Sequence, residues 1–321
     1  MTPRRRLAAV AAATLLLAAC EIPYDFDGTA GADYVYVDKA GVWRDLDLPD
    51  PVWTQPTVNQ APVPGDYDGD GRWEAASLDL VSGVWSTAGA RGSFTVARPP
   101  DTDSDSSTAV VPVPADYDGD GDTDPAWFSE SSATWQIDGG TPFVFGRPST
   151  DPGVPAVSDM PFHDIAAPAD YDGDGDTDPA VYRIETGEVH ILGGTTIETD
   201  LPYGFPVPAN YTAAPGDEAS VLGLAGEGWM VEGTTPDPAF ATDVSGVMPV
   251  PADYDGDGTV ERAYTHGHAT ATWQVEDALP RTLPANEYQA ATIQPHILFN
   301  ALFVTFLSSA CVEMADPSCP S

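Results

Sequence analysis

Hydrophobic positions in this chain come in short runs, and the breaks between the runs recur. Pro179-Ala180-Val181-Tyr182-Arg183 and Glu188-Val189-His190-Ile191-Leu192 are rich in β-branched and aromatic residues and flank the polar turn Glu185-Thr186-Gly187. That pattern predicts two strands joined by a tight turn. A further strand fits Pro142-Phe143-Val144-Phe145-Gly146. The approach to each polar loop has the form Val111-Pro112-Val113-Pro114-Ala115-Asp116-Tyr117. It cannot be helical, because proline lacks the N–H donor and drives its predecessor toward extended backbone. It predicts a short strand paired on one side at most.

This unit repeats. The phrase Val63-Pro64-Gly65-Asp66-Tyr67-Asp68-Gly69-Asp70-Gly71 returns at 113–121, 167–175 and 250–258, with altered copies beginning Ile22-Pro23-Tyr24-Asp25 and Val207-Pro208-Ala209-Asn210. The six loops start at 25, 66, 116, 170, 210 and 253, spaced 41, 50, 54, 40 and 43 residues apart. A second landmark confirms the register: Trp43, Trp85, Trp135, Trp229 and Trp273 follow their loop starts by 18 to 20 residues, with His190 in that place in the fourth copy. Four short strands per unit, repeated six times, predict an all-β protein, a β-propeller of six four-stranded blades over residues 22–285. Seven blades, or an open solenoid, are the alternatives. Thirty glycines and 32 prolines agree, since that density of breakers excludes long helices.

Charge sharpens the picture. Fifty acidic against 12 basic residues give a net charge of −38. Such a chain has no phosphate-neutralising surface, so nucleic acid is excluded as a partner. Charged residues are only 19% and aromatics 10%, which also excludes a disordered acidic tail. The acids concentrate in the loops. Numbered from its first acid, each full copy carries acids at positions 1, 3, 5 and 9, glycine at 6, and a backbone carbonyl available at 7. The candidate ligand sets are Asp66, Asp68, Asp70, Arg72 and Glu74; Asp116, Asp118, Asp120, Asp122 and Asp124; Asp170, Asp172, Asp174, Asp176 and Asp178; and Asp253, Asp255, Asp257, Thr259 and Glu261, with Arg72, Asp122, Asp176 and Thr259 acting through their carbonyls. Three carboxylates within five residues repel one another unless a cation sits between them. Calcium takes six to eight hard oxygens in flexible geometry, whereas magnesium keeps its waters. Four calcium ions are therefore expected. An EF-hand starts similarly but needs Glu at position 12, where this chain has Ser77, Trp127, Val181 and Tyr264. The first loop has Thr29 at position 5, so it predicts a weak site. The fifth, with Asn210, Thr212 and Ala214, predicts an empty one.

The chain ends carry separate signals. Three arginines, an apolar run from Leu7 to Ala19, and Cys20 predict a secretory signal over 1–19, too short to span a bilayer. Leu17-Ala18-Ala19-Cys20 resembles the lipobox of bacterial lipoproteins. That resemblance implies cleavage before Cys20, lipid on its thiol at residues 20–21, and an extracytoplasmic protein held to the cell envelope. Cleavage would take the net charge to −41. Cys311 and Cys319 are expected to form a disulfide in an oxidising compartment. Residues 286–321 are expected to close the ring, with Ile297–Leu307 as the closing element; lying on the lipid surface is the alternative reading of that run.

The phrase Ala167 to Tyr182, followed by Gly187 and Ile191, resembles the bacterial FG-GAP/VCBS repeat, itself similar to the integrin α-subunit propeller. Phe145-Gly146 and Tyr203-Gly204-Phe205-Pro206 resemble that family's Phe-Gly segment. The resemblance implies a propeller whose loops bind calcium at the rim. It implies function less closely, because propellers host many tasks. No nucleophile elbow, phosphate loop or dinucleotide fingerprint occurs, and His266-Gly267-His268 suits a hairpin turn. The repeats also leave no room for a catalytic domain. The expected function is thus non-enzymatic, a lipid-anchored binding or adhesion module with an extracellular protein or glycan ligand. A lectin-like or carbohydrate-processing propeller is the alternative, since the periodic tryptophans could stack on sugars.

Overall fold

The computed structural model describes residues 24–290 apart from 30, 39, 59, 100–109, 149–163, 224–226, 239–246, 267–270 and 284–287. The lipobox, Cys20, Cys311, Cys319, His268 and Ile297–Leu307 lie outside the described residues. The protein is a six-bladed β-propeller with no α-helix among those residues. Chain order and blade order coincide. The first blade contains β1 (Val35–Asp38), β2 (Val42–Asp45) and β3 (Trp53–Thr54). The second contains β4 (Ala61–Pro62), β5 (Ala76–Asp79), β6 (Val84–Thr87) and β7 (Ser93–Thr95), and the third β8 (Val110–Pro112), β9 (Ala126–Ser129), β10 (Thr134–Ile137) and β11 (Phe143–Val144). The fourth contains β12 (Asp164–Ala166), β13 (Ala180–Arg183), β14 (Glu188–Ile191) and β15 (Thr196–Glu198). The fifth contains β16 (Gly204–Pro206), β17 (Val221–Gly223) and β18 (Trp229–Met230), and the sixth β19 (Val247–Pro249), β20 (Ala263–His266), β21 (Ala271–Val275) and β22 (Arg281–Leu283).

Every pairing within a blade is antiparallel, as the short connections require. The fifth blade has three strands among the described residues, and a single bridge, Trp229 with Asp237, stands beside β18 where its outer strand would begin. The ring closes through a strand from the far end of the chain. β23 (Tyr288–Ala290) pairs with β1 in the register Tyr36↔Ala290, Val37↔Gln289 and Asp38↔Tyr288. It completes the first blade in the order β23-β1-β2-β3.

The core lies between blades. Val35, Val37 and Trp43 of the first blade pack with Ala75, which leads into the second. Leu78 and Trp85 of the second meet Val110 and Trp127 of the third, and Phe128 and Trp135 of the third meet Ala166 and Val181 of the fourth. Tyr182 and Val189 meet Val221 and Met230 of the fifth. The last cluster joins Leu222 and Trp229 to Trp273 and Val275, and also takes in Tyr36 of the first blade, so apolar packing runs round the whole circle. The periodic tryptophans sit on the third strand of five of the six blades and seal these interfaces: Trp43, Trp85, Trp135, Trp229 and Trp273 are all 0% exposed. None presents a ring to solvent, so the feature that suggested sugar stacking is a feature of the core.

Trp85 touches Tyr67, Phe94 and Trp127. Trp85→Ala is expected to cost about 3–5 kcal/mol of unfolding free energy by leaving a cavity between blades. Val81→Ala, at a position 97% exposed, is expected to change it by less than about 0.5 kcal/mol. Urea unfolding in excess calcium checks both.

Candidate metal centres

The six loops share one backbone design. The side chain at position 1 organises the turn: Asp66 Oδ1 accepts the N–H of Gly69 at 2.8 Å and its Oδ2 that of Gly71 at 2.7 Å. Asp116, Asp170 and Asp253 repeat both bonds with their own glycines. Gly69 and Gly71 have φ of 70° and 85°, which L side chains adopt at a cost, so glycine belongs at these two places. The carboxylate at position 9 folds back to accept the N–H of position 2, as Glu74 does from Tyr67 at 3.0 Å and Asp178 from Tyr171 at 3.1 Å. The tyrosine at position 2 then anchors the loop to its strand. Tyr67, Tyr117, Tyr171, Tyr211 and Tyr254 each donate from the hydroxyl to the carbonyl four residues earlier, at 2.6 to 2.8 Å. Tyr67, Tyr211 and Tyr254 also pack edge-on against Trp85, Trp229 and Trp273.

Neighbouring loops are joined to one another. The N–H at position 8 donates to the position-1 carbonyl of the preceding loop: Trp73 to Asp25 at 3.1 Å, Thr123 to Asp66 at 2.5 Å, Thr177 to Asp116 at 2.7 Å, Asp217 to Asp170 at 2.6 Å, Val260 to Asn210 at 2.8 Å, and Ala32 to Asp253 at 2.6 Å. The last bond returns to the first loop, so six backbone bonds form a closed circle. All six loops therefore gather on one face of the propeller, beside the innermost strands.

Five loops bring acids close enough to share a cation. Carboxylate oxygens lie within 4.8 Å of one another in Asp66, Asp68, Asp70 and Glu74; in Asp253, Asp255, Asp257 and Glu261; in Asp116, Asp118 and Asp124; in Asp170, Asp172 and Asp178; and in Asp25, Asp27 and Asp33 of the first loop. These clusters can hold a metal ion. Asp120 and Asp174, expected as ligands at position 5, fall outside the mutual 4.8 Å sets and accept the N–H of Asp122 and Asp176. Asp70 and Asp257 accept the matching N–H of Arg72 and Thr259 while staying within theirs. The second loop also holds Asp68 Oδ1 buried with no hydrogen-bond partner, while its Oδ2 accepts the N–H of Ala90 at 2.6 Å.

The fifth loop is different in kind. Thr212 stands at position 3, and its hydroxyl donates to Glu218. Asn210 uses its amide on Ala214 at 3.0 Å and its oxygen on Ala213 at 2.8 Å. A hydroxyl and an amide thus do there what a cation would do elsewhere, and this loop forms no acid cluster among the described residues.

Proton affinity records the crowding. Burial, reinforced by Asp68 and Asp66, pushes the Glu74 carboxyl up to about 8, and burial among three aspartates pushes Glu261 up to about 7. Burial raises Asp33 to about 6, and raises Asp124 and Asp178 as well. Asp122 and Asp176 rise to about 6 because each shares a hydrogen bond with its neighbour at position 5. A divalent ion would displace these protons.

The inter-loop circle is invisible to residue-type reading, since position 8 holds Ala32, Trp73, Thr123, Thr177, Asp217 and Val260 and acts only through its backbone. The tyrosine at position 2 was visible in the motif, but not its bond back to the strand. No family model and no curated protein matches the chain.

Without divalent ions, the native state holds protons on Glu74, Glu261 and Asp33 that an unfolded chain releases near pH 4.5 for the glutamates and near 3.8 for the aspartate. Stability should then be highest near pH 5 and fall as pH rises toward 8. Melting curves from pH 5 to 8 in chelator should show this fall, and saturating calcium should flatten or reverse it.

Proposed function

We propose that the chain is a calcium-loaded, lipid-anchored β-propeller acting outside the cytoplasm as a binding or adhesion module. The observation that carries the calcium reading is the clustering of carboxylates in five loops, in a sequence frame of alternating acids and glycine. Each cluster offers hard oxygens in a flexible loop, the donor set calcium prefers. The position-7 carbonyls of Arg72, Asp122, Asp176 and Thr259 would add neutral oxygens. The FG-GAP/VCBS resemblance of the repeats supports the same reading.

When bound, calcium supplies positive charge between acids that otherwise repel or take up protons. The chain supplies the rest: position 1 holds the turn open, position 9 ties it to the tyrosine, and the inter-loop bonds hold one loop against the next. This is a structural use of a cation, and it leaves the propeller's other surfaces for a ligand. The expectation of a non-enzymatic role rests on the same economy, since the repeats and their loops account for most of the mature chain. With the periodic tryptophans sealed in the core, no observation favours the carbohydrate reading.

The lipid reading rests on Leu17-Ala18-Ala19-Cys20. Full-length protein expressed in a bacterial host with its signal should enter the detergent phase on phase separation, and Cys20→Ser should move it to the aqueous phase. Unchanged partitioning would count against the anchor. For the metal, each site saturated at a hundred times its Kd adds about 2.7 kcal/mol to native stability. Calcium should therefore raise the melting temperature well above that in chelator, with magnesium less effective at equal concentration. Identical melts in calcium and chelator would remove calcium from the proposal. The binding role is checked by passing envelope extract over immobilised mature chain in calcium. A specific protein or glycan retained in calcium and released by chelator is expected, and no retention would contradict it.

A further inference from the structure

We propose that the aspartate-loop face of the propeller lies against the lipid surface and that the opposite face, formed by the β-hairpins, points outward to meet a partner. The inference rests on lipid at Cys20 and adds an orientation to it.

Antiparallel blades fix two faces. The connection from first to second strand in each blade is the aspartate loop, and the turn from third to fourth strand lies on the same face. The hairpin from second to third strand lies on the other. In the second blade, Val81 is in the β5–β6 hairpin; in the sixth, Leu279 is in the β21–β22 turn on the loop face. Both are open to solvent, at 97% and 89% exposure.

Where the chain enters decides which face meets the anchor. In the other five blades the residue before position 1 continues the innermost strand and bridges to position 9: Gly65 to Glu74, Ala115 to Asp124, Ala169 to Asp178, Ala209 to Glu218 and Ala252 to Glu261. Tyr24 holds that place in the first blade and differs in two respects. Its φ is +69°, unlike any of its five counterparts, and no such bridge is recorded for it among the described residues, although its carbonyl still accepts the N–H of Asp33 at 3.0 Å. The reason is occupancy. β23 fills the innermost place, with Ala290 opposite Tyr36 as Pro112 is opposite Trp127 in the third blade. With that place filled, the chain is met first at Tyr24, on the loop face.

Cys20 precedes Tyr24 by four residues, which span at most about 14 Å even when fully extended. Lipid on Cys20 therefore enters a bilayer from the loop face, because the tether is too short to carry it around the blades to the hairpins. The partner of the loop face is a phospholipid headgroup layer.

The test uses the lipidated full chain in phosphatidylcholine vesicles with calcium and a headgroup-borne fluorescence acceptor. Lys39 is the only lysine, and its sequence position falls between β1 and β2, the second and third strands of the first blade. An amine-reactive donor on the natural chain thus reports the hairpin face. Lys39→Arg combined with Leu279→Lys moves the donor to the loop face, and Lys39→Arg with Val81→Lys gives a second hairpin position. Label on a free terminal amine is common to all three. A loss of donor fluorescence at position 279 that positions 39 and 81 do not share is expected. Equal loss at all three, or greater loss at 39 and 81, would overturn the orientation while leaving the anchor intact. A chain that does not float with vesicles would instead overturn the anchor, and the orientation with it.

Discussion

Six backbone hydrogen bonds on one face constrain the rest of this propeller. Each runs from position 8 of a loop to position 1 of the loop before it, and the sixth, from Ala32 to Asp253, closes the circle. Single bonds of this kind contribute about 0.5–1.5 kcal/mol net, so their importance lies less in energy than in placement. The carbonyl they engage belongs to the residue whose side chain shapes its own loop. Holding that residue by both ends fixes each loop relative to its neighbour, and so fixes where every carboxylate points.

The constraint creates an electrostatic problem. Acids at positions 1, 3 and 9 are drawn within 4.8 Å of one another in five loops, partly shielded from water. The rise of Glu74 to about 8 and Glu261 to about 7 shows the chain's own answer, which is to keep a proton. A divalent cation would answer it by satisfying several oxygens at once. The fifth loop shows a third answer, in which Thr212 and Asn210 replace charge by hydrogen-bond donors. That loop still contributes to the circle through the Asp217 N–H and the Asn210 carbonyl, so ring membership and acid clustering are separable.

Much of this was legible in the sequence because it was written in residue types. The repeated Asp-Tyr-Asp-Gly-Asp-Gly phrase located the loops, and five tryptophans at one offset fixed the register of the repeats. Side-chain identity recurs wherever a carboxylate, a positive φ or a large buried ring is required. What was not legible acts through the backbone or depends on a distant partner. The inter-loop circle accepts any residue with an N–H. β23 is three residues long, and the apolar pattern of residues 286–321 pointed for ring closure to the longer run Ile297–Leu307 rather than to Tyr288–Ala290. Asp120 and Asp174 sit at ligand spacing yet fall outside the mutual 4.8 Å sets, whereas Asp70 and Asp257 make the same bond to position 7 and stay within theirs, a difference that spacing alone leaves undecided.

The central claim is that the loops form one mechanical unit whose order depends on cations. Amide hydrogen exchange at the six position-8 residues, in calcium and in chelator, tests it most directly. The account predicts that Ala32, Trp73, Thr123, Thr177, Asp217 and Val260 all gain protection together in calcium, including Asp217 in the loop without an acid cluster. Protection unchanged by calcium, or confined to the loops with clusters while Asp217 stays as it is in chelator, would contradict it.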